Sequence, residues 1–193
     1  MANLDVFLPG VRKYISGPLD IMMTQSVLDA AITFCRESLY CRDRATFNDV
    51  IIQEPYTLSD APEVKCVKRL RVWDITHGHP GELLMAGHDF TALSANQLHF
   101  NRPFSLVAVD FAIEPRQRSN EVPDVLADDF SDVIVAGALA DLFMMSGKPW
   151  TDPQRSHDFG SRFVEGYRRA FREALDNSPI TAFDNPVRKH EFF

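Results

Sequence analysis

The chain is poor in cysteine and has no long uncharged apolar run. Cys35, Cys41 and Cys66 are the only three cysteines among 193 residues, and they form no CxxC pair. This odd, scattered set argues against a disulfide framework, and a zinc site would need histidines from distant parts of the chain. No stretch reaches the ~20 apolar residues of a membrane span, and the start lacks the basic and apolar regions of a secretion signal. The sequence therefore predicts a cytoplasmic protein without membrane contact, whose cysteines are reduced and buried.

Positive charge is also scarce. The chain has 20 lysines and arginines against 27 acidic residues, for a net charge of −7. A general nucleic-acid binder needs surplus basic side chains to neutralise phosphates, so that class is disfavoured. The sequence also lacks a glycine-rich phosphate loop, a Gly-x-Ser-x-Gly motif and a Cys/His nucleophile arrangement. Nothing in it requires an enzyme, and no catalytic residue, cofactor or metal is predicted.

What is present is a hydrophobic pattern whose period changes twice. The pattern is helical from about Leu19 to Tyr40 and again from near Pro123 to Asp176, while short strand-like runs and turns fill Asn48 to Ile113. No helix-length pattern separates those strands, so the sheet should be antiparallel. We predict an α+β fold: a three-helix core, made of one N-terminal helix and a C-terminal helix hairpin, with an inserted antiparallel β-sheet or small sandwich. The predicted segments are 1–44 (helical), 45–115 (inserted β), 116–176 (helix hairpin) and 177–193 (extended C-terminal arm).

The elbow of the helix hairpin is the most specific local signal. Gly147 is suited to end a helix, and Pro149 prevents that helix from continuing. Thr151 or Asp152, followed by Pro153, provides an N-cap and a first-turn proline for the next helix. The pattern predicts a Lys-Pro-Trp elbow between two antiparallel helices.

The order of these features resembles a known family. Val-Pro-Asp at 122–124 precedes an apolar helix to Met145, then Gly-Lys-Pro-Trp at 147–150 and an arginine-rich helix. In the N-terminal half, Phe-Leu-Pro-Gly-Val at 7–11 leads into a helix carrying Ala-Ala-Ile-Thr-Phe-Cys-Arg-Glu at 30–37, followed by the β-rich middle. Over about residues 5–176 the chain resembles the head-to-tail adaptor (neck or connector) proteins of tailed bacteriophages.

That resemblance implies a non-enzymatic structural virion protein. It implies a homo-oligomeric ring, roughly a dodecamer that follows the symmetry of the portal, joining the portal protein to a tail or tail-completion protein. The ring would form part of the DNA ejection channel, and like charge suits a conduit through which DNA passes without specific binding. The protein would lie in the neck of the virion, and in the host cytoplasm during assembly. Two alternatives stay open: another neck or tail-completion protein that contacts the tail, and a metal-dependent enzyme.

Two charged sets are candidate subunit contacts. Residues 119–146 hold six acids and no lysine or arginine, and the spacing of Asp124, Asp128 and Asp132 predicts one helix face. These aspartates could form a solvent-exposed face that complements the helix dipole. The more specific alternative is that this face borders the channel of an oligomeric ring. Arginine pairs well with carboxylates of a neighbouring subunit. The predicted subunit interface comprises Asp124, Asp128, Asp132, Arg162, Arg168, Arg169 and Arg172.

The end of the sequence predicts a portal-binding arm. After Asp176 the helical period stops, while prolines and large apolar side chains continue. Such a segment has too few core contacts to fold alone and should order on docking, although it could instead fold back on its own subunit. The predicted contact residues are Pro179, Ile180, Phe183, Pro186, Phe192 and Phe193.

The metal-enzyme alternative depends on one histidine cluster. His77, His79 and His88 lie in a segment that also contains glycine and proline. Two histidines in a His-x-His pair could ligate a metal from one strand face, but glycine and proline make a polar turn the more natural structure.

Overall fold

The structure is a computed structural model that describes residues 1–78 and 81–177. Over these residues the helices are α1 Leu8–Arg12, α2 Asp20–Ser38, α3 Asp124–Asp128, α4 Ser131–Met144 and α5 Pro153–Asp176, with a 3-10 turn at Leu4–Phe7. The strands are β1 Ala2–Asn3, β2 Arg42–Val50, β3 Pro55–Thr57, β4 Val64–Asp74, β5 Glu82–Leu83, β6 Phe90–Ala92, β7 Gln97–Phe100, β8 Phe104–Pro115 and β9 Glu121–Val122.

The strands form antiparallel ladders in three sheets within the described residues. The largest sheet has the order β2-β8-β4-β5, the second has the order β3-β7-β6, and β1 pairs with β9. Val107, Val109 and Phe111 alternate along β8 and are fully buried on one face of the central strand. With Phe100 and Leu98 from the second sheet they form a hydrophobic core of their own.

The helices pack around α4, which is apolar on almost every side. Gly137 lets α2 and α5 approach α4 closely, because a Cβ there would lie 2.9 Å from both the Ala30 Cβ and the Phe163 ring. Gly166 of α5 similarly faces Val133, with only 2.3 Å left for a Cβ. These contacts bury a second hydrophobic core, separate from that of the sheets.

An ion cluster ties α2 to the main sheet. The Glu114 side chain, at the end of β8, is only 2% exposed. It accepts hydrogen bonds from Arg36 Nε and Nη2 of α2 at 2.9 and 2.7 Å, and Lys65 Nζ of β4 lies 3.0 Å away. Burial raises the pKa of Glu114, but these two cations outweigh it and hold the pKa below its ordinary value.

The predicted three-helix core with an inserted sheet is wrong. The described chain is mixed α and β, with five helices and several antiparallel sheets, and contacts within the β-sheets dominate its tertiary structure. The most extensive of these contacts join β8 to β4 and to β2. Hydrophobic periodicity suggested short strands but could not show that distant strands pair into a long central ladder with its own core.

The second predicted helix is also different, whereas the elbow is confirmed. The chain between Val125 and Met145 forms α3 and α4, separated at Asp129 and Phe130. At the elbow, Gly147 has a φ of +68°, and the Asp152 side chain accepts a hydrogen bond from the Arg155 backbone N–H at 3.1 Å. Pro153 is the first residue of α5, as the sequence predicts.

Candidate interaction surfaces

The arginines predicted at a subunit interface are exposed along α5, and two of them pair within their own helix. Arg169 Nε lies 3.6 Å from Glu173, and Arg172 Nη2 lies 3.0 Å from Glu165. The Arg162 guanidinium lies 5.2 Å from the centre of the Phe159 ring. Exposed ion pairs contribute little stability, so these arginines can exchange partners at low cost.

The predicted aspartates are exposed, but they do not lie on one helix. Asp124 and Asp128 belong to α3, and Asp132 lies in the first turn of α4. The break follows from Phe130, whose buried ring packs 4.9 Å from the Phe34 ring centre and 4.8 Å from that of Tyr40.

The N-terminal amine engages one of these aspartates. The Asp124 carboxylate lies 2.7 Å from the Met1 amine and raises the pKa of that amine by accepting its hydrogen bond. This contact brings the start of the chain against α3, beside the short ladder of β1 and β9.

A groove of about 730 Å³ between α4 and α5 brings together part of the predicted interface. Asp132, Arg162 and Arg169 line it, together with Glu165 and Tyr14. Arg168 lines a different depression on α5. Among the ion pairs of the described residues, none joins a predicted arginine to a predicted aspartate, so the two sets do not neutralise each other.

The predicted portal-binding arm lies outside the described residues and stays a prediction. The last buried side chain of α5 is Ala174. The prediction concerns Pro179, Ile180, Phe183, Pro186, Phe192 and Phe193.

The histidine region is organised by a buried aspartate. Asp89 accepts a hydrogen bond from the Met85 backbone N–H at 2.8 Å and forms an ion pair with Arg102 Nε at 2.9 Å, and its other near neighbour is His88 Nδ1 at 2.9 Å. The backbone hydrogen bond first, then the His88 contact and the charge of Arg102, outweigh burial and hold the pKa of Asp89 below its ordinary value. Both Asp89 carboxylate oxygens therefore already have partners in or beside the turn.

Among the described residues, no metal cluster accompanies this turn. His77 is exposed beyond β4, and His79 lies outside the described residues. Across 1–78 and 81–177, no group of three or more His, Cys, Asp or Glu side chains could hold a metal ion. The described histidines therefore give the metal-enzyme alternative no support.

The cysteines are free and buried, as the sequence predicts. Cys35 and Cys41 place their Sγ atoms 3.5 Å apart where α2 leads into β2. The Cys41 hydrogen bond and burial raise the pKa of the Cys35 thiol well above its ordinary value. Within the described chain these thiols serve as small core residues.

A basic groove on the four-stranded sheet was not among the sites predicted from the sequence. Its volume is about 520 Å³, and Arg42, Arg44, Arg71 and Asp110 line it from three neighbouring strands. Arg44 binds Asp110 through two hydrogen bonds of 2.5 and 3.1 Å, and Trp73 Nε1 donates to the same carboxylate at 3.2 Å. The sequence feature that could have indicated this groove is the Arg-x-Arg spacing at 42–44, because it puts both side chains on one face of a strand.

Arg42 has a particular environment in this groove. Its guanidinium donates to two carbonyl oxygens, of Leu39 at 3.0 Å and of Ala174 at 2.8 Å. Burial, followed by the positive charge of Arg71, lowers the pKa of Arg42. Two arginines therefore lie close enough to repel each other electrostatically.

Comparisons with known proteins identify no family. No protein-family model matches the chain, and no curated protein matches it at a significant level. In the part of the chain that the structure describes, no helix has both the length and the apolar character needed to cross a membrane.

Proposed function

We propose that this protein is a structural component of a tailed-phage virion: an adaptor that forms a ring between the portal and the tail and lines part of the DNA channel. The observation that carries the proposal is the exposure of both predicted charged sets on the helices. Asp124, Asp128 and Asp132 point to solvent, as do the arginines of α5. A closed ring uses two different surfaces of each copy, so complementary charge on one subunit supports head-to-tail association.

The net negative charge of the chain also supports a ring through which DNA passes. At −7 per chain, a ring of many copies would be strongly negative and would not retain DNA that passes through it. The same charge opposes self-association of the free protein. We therefore expect a monomer or small oligomer in solution, which assembles into a ring only on the portal.

Light scattering tests this proposal with the full chain. The purified protein at low micromolar concentration should have the mass of one or a few chains, and addition of portal particles should produce a complex of defined stoichiometry. Asp128→Arg combined with Asp132→Arg should prevent that assembly, whereas Asp5→Asn on the 3-10 turn is the matched control and should not.

Two results would overturn the proposal. A stable ring without portal would contradict portal-dependent assembly. Binding to isolated tails but not to portals would instead identify a neck or tail-completion protein that contacts the tail.

A further inference from the structure

We propose that residues 180–185 of this same chain add to the open edge of β2 as a further strand in the free protein. β2 is an edge strand of the four-stranded sheet, and residues 178–193 lie outside the described residues. The docking surface is the outward backbone of β2 together with the apolar walls of the basic groove. The inference concerns the protein before it meets a partner, so it does not depend on the proposed adaptor function.

The backbone of β2 offers an open edge. Within the described sheet, β2 pairs only with β8. The Cys41 carbonyl accepts a hydrogen bond from the Ile113 N–H, and bonded pairs alternate along an antiparallel ladder. The N–H groups of Arg44 and Thr46 therefore point away from β8. The Arg44 N–H donates to the Asp43 carboxylate at 2.8 Å, which leaves Thr46 as the position best placed to donate to an added strand.

The middle of this edge lacks the usual protection against strand addition. Natural edge strands are blunted by charges, prolines or bulges. Charged side chains of β2 lie at 42–44 and at Asp49, whereas residues 45–48 (Ala-Thr-Phe-Asn) carry none. β2 contains no proline, and its register with β8 has no shift between residues 42 and 48. The uncharged middle of β2 is therefore the part of the edge that a further strand can join.

The end of α5 brings the rest of the chain to this edge. Arg42 Nη2 donates to the Ala174 carbonyl at 2.8 Å, and Leu175 lines the groove beside residues 42–44. α5 ends at Asp176, so the following residues start near the first residue of β2. The nine residues of β2 span about 30 Å, and the sixteen residues 178–193 can reach roughly 50 Å. The shortest course of the arm along the edge is parallel to β2.

The sequence of the arm contains one stretch suited to a strand. Pro179 and Pro186 bound residues 180–185, which read Ile-Thr-Ala-Phe-Asp-Asn. Proline has no N–H to give to a ladder, so a strand in this region should lie between the two prolines. Isoleucine, threonine and phenylalanine are all favoured in strands. Residues 180–185 are therefore the segment of the arm that fits the edge.

Both faces of the β2 edge have apolar surface for this segment to cover. On the groove side lie Leu70 and Leu175, and Leu175 is 42% exposed. On the opposite side, Phe47 is half-buried and packs against the core of the sheets. Because successive side chains of a strand point to opposite faces, Ile180 and Phe183 would cover different faces.

The covalent connection favours this segment over one from another molecule. A short linker gives a tethered segment an effective concentration in the millimolar range, so weak contacts suffice to hold it. A strand on an exposed edge covers little of either hydrophobic core, so its release should change the overall stability little. The contact is therefore compatible with an arm that leaves the edge to bind a portal.

Amide hydrogen exchange of the full chain, followed by NMR, tests the proposal. The Thr46 amide should exchange at least about tenfold more slowly in the unmodified protein than in Ile180→Asp combined with Phe183→Asp, because carboxylates disfavour burial against the edge. The matched control is Phe192→Asp combined with Phe193→Asp, which adds the same charge outside the proposed strand. This control should leave the exchange of Thr46 unchanged.

Two internal measurements make the test independent of the folding of any variant. The amides of Ala45 and Phe47 point towards β8 and should stay protected in all three proteins. In the unmodified protein, nuclear Overhauser contacts should join the Thr46 amide to residues 180–185.

Three results would overturn the proposal. Rapid exchange of Thr46 in the unmodified protein would show that nothing covers the edge. Protection that persists in Ile180→Asp combined with Phe183→Asp would assign the edge to another segment. Protection that rises with protein concentration would assign it to a second copy of the chain.

Discussion

Replacement of Trp150 tests how the helix elbow is held against the start of α2. The ring lies against Gly17, where a Cβ would come within 2.7 Å of Trp150 Cε3. Gly17 also has a φ of +115°, a conformation that favours glycine. The indole Nε1 is buried and has no hydrogen-bond partner among the described residues. Trp150 is therefore a packing residue of the elbow that carries one unsatisfied donor.

The two aromatic substitutions should differ in magnitude. Trp150→Ala removes the ring and should cost about 3 kcal/mol of unfolding free energy. For a chain of this size that loss lowers the melting temperature by roughly 6–12 °C. Trp150→Phe keeps most of the ring and removes a donor whose burial costs about 1–3 kcal/mol, so it should change stability by less than about 1 kcal/mol.

A double-mutant cycle with Gly17→Ala isolates the contact. Alone, Gly17→Ala introduces a clash with Trp150 and backbone strain of about 1–3 kcal/mol. In the Trp150→Ala background the clash disappears, so the cost of Gly17→Ala should fall by about 1 kcal/mol or more. Urea denaturation of the four proteins measures this coupling. Additive effects would refute the packing of Trp150 on Gly17, and an unchanged melting temperature for Trp150→Ala would place the ring in an exposed contact.

Three further predictions concern the sheet junction, the arm and the histidine turn. Glu114→Gln should cost about 2–3 kcal/mol, because Arg36 and Lys65 lose their shared partner, whereas exposed Glu37→Gln should cost less than about 0.5 kcal/mol in the same urea assay. Because the folded-state pKa of Glu114 is depressed, its stabilisation is complete above its unfolded pKa of about 4.3 and is lost as pH falls through the folded value, so this acid-dependent loss should be smaller in Glu114→Gln. Deletion of residues 178–193 should leave the melting temperature nearly unchanged and abolish co-sedimentation with the portal; a sharp fall in melting with binding retained would assign the arm to the fold. Metal analysis of the purified protein should find only traces, and a stoichiometric metal lost in His77→Ala would revive the enzyme alternative.

The parts of the fold that could be predicted are those with local chemical causes. The elbow follows from Gly147, Asp152 and Pro153, each acting within a few residues of itself. The break between α3 and α4 could not be predicted, because it depends on the burial of Phe130 against Phe34, which is distant in the chain. Periodicity indicated strands but not the β2–β8 and β4–β8 ladders, whose pairing dominates the sheet.

For the candidate surfaces, too, the sequence did not show which distant residues come together. The charged residues of α3, α4 and α5 could be selected from composition and spacing, but their grouping into separate grooves depends on helix packing. The basic groove needs the register that places Arg44 and Arg71 opposite Asp110 on either side of β8. That register joins Arg44 to Asp110, which lies 66 positions away, and no local pattern specifies it.

Electron microscopy of the protein mixed with its portal tests the central claim most directly. The adaptor account predicts a ring of density with the portal's symmetry, attached to one end of the portal and open along its axis. Portal particles with no added density, while the protein is folded and in excess, would contradict the account.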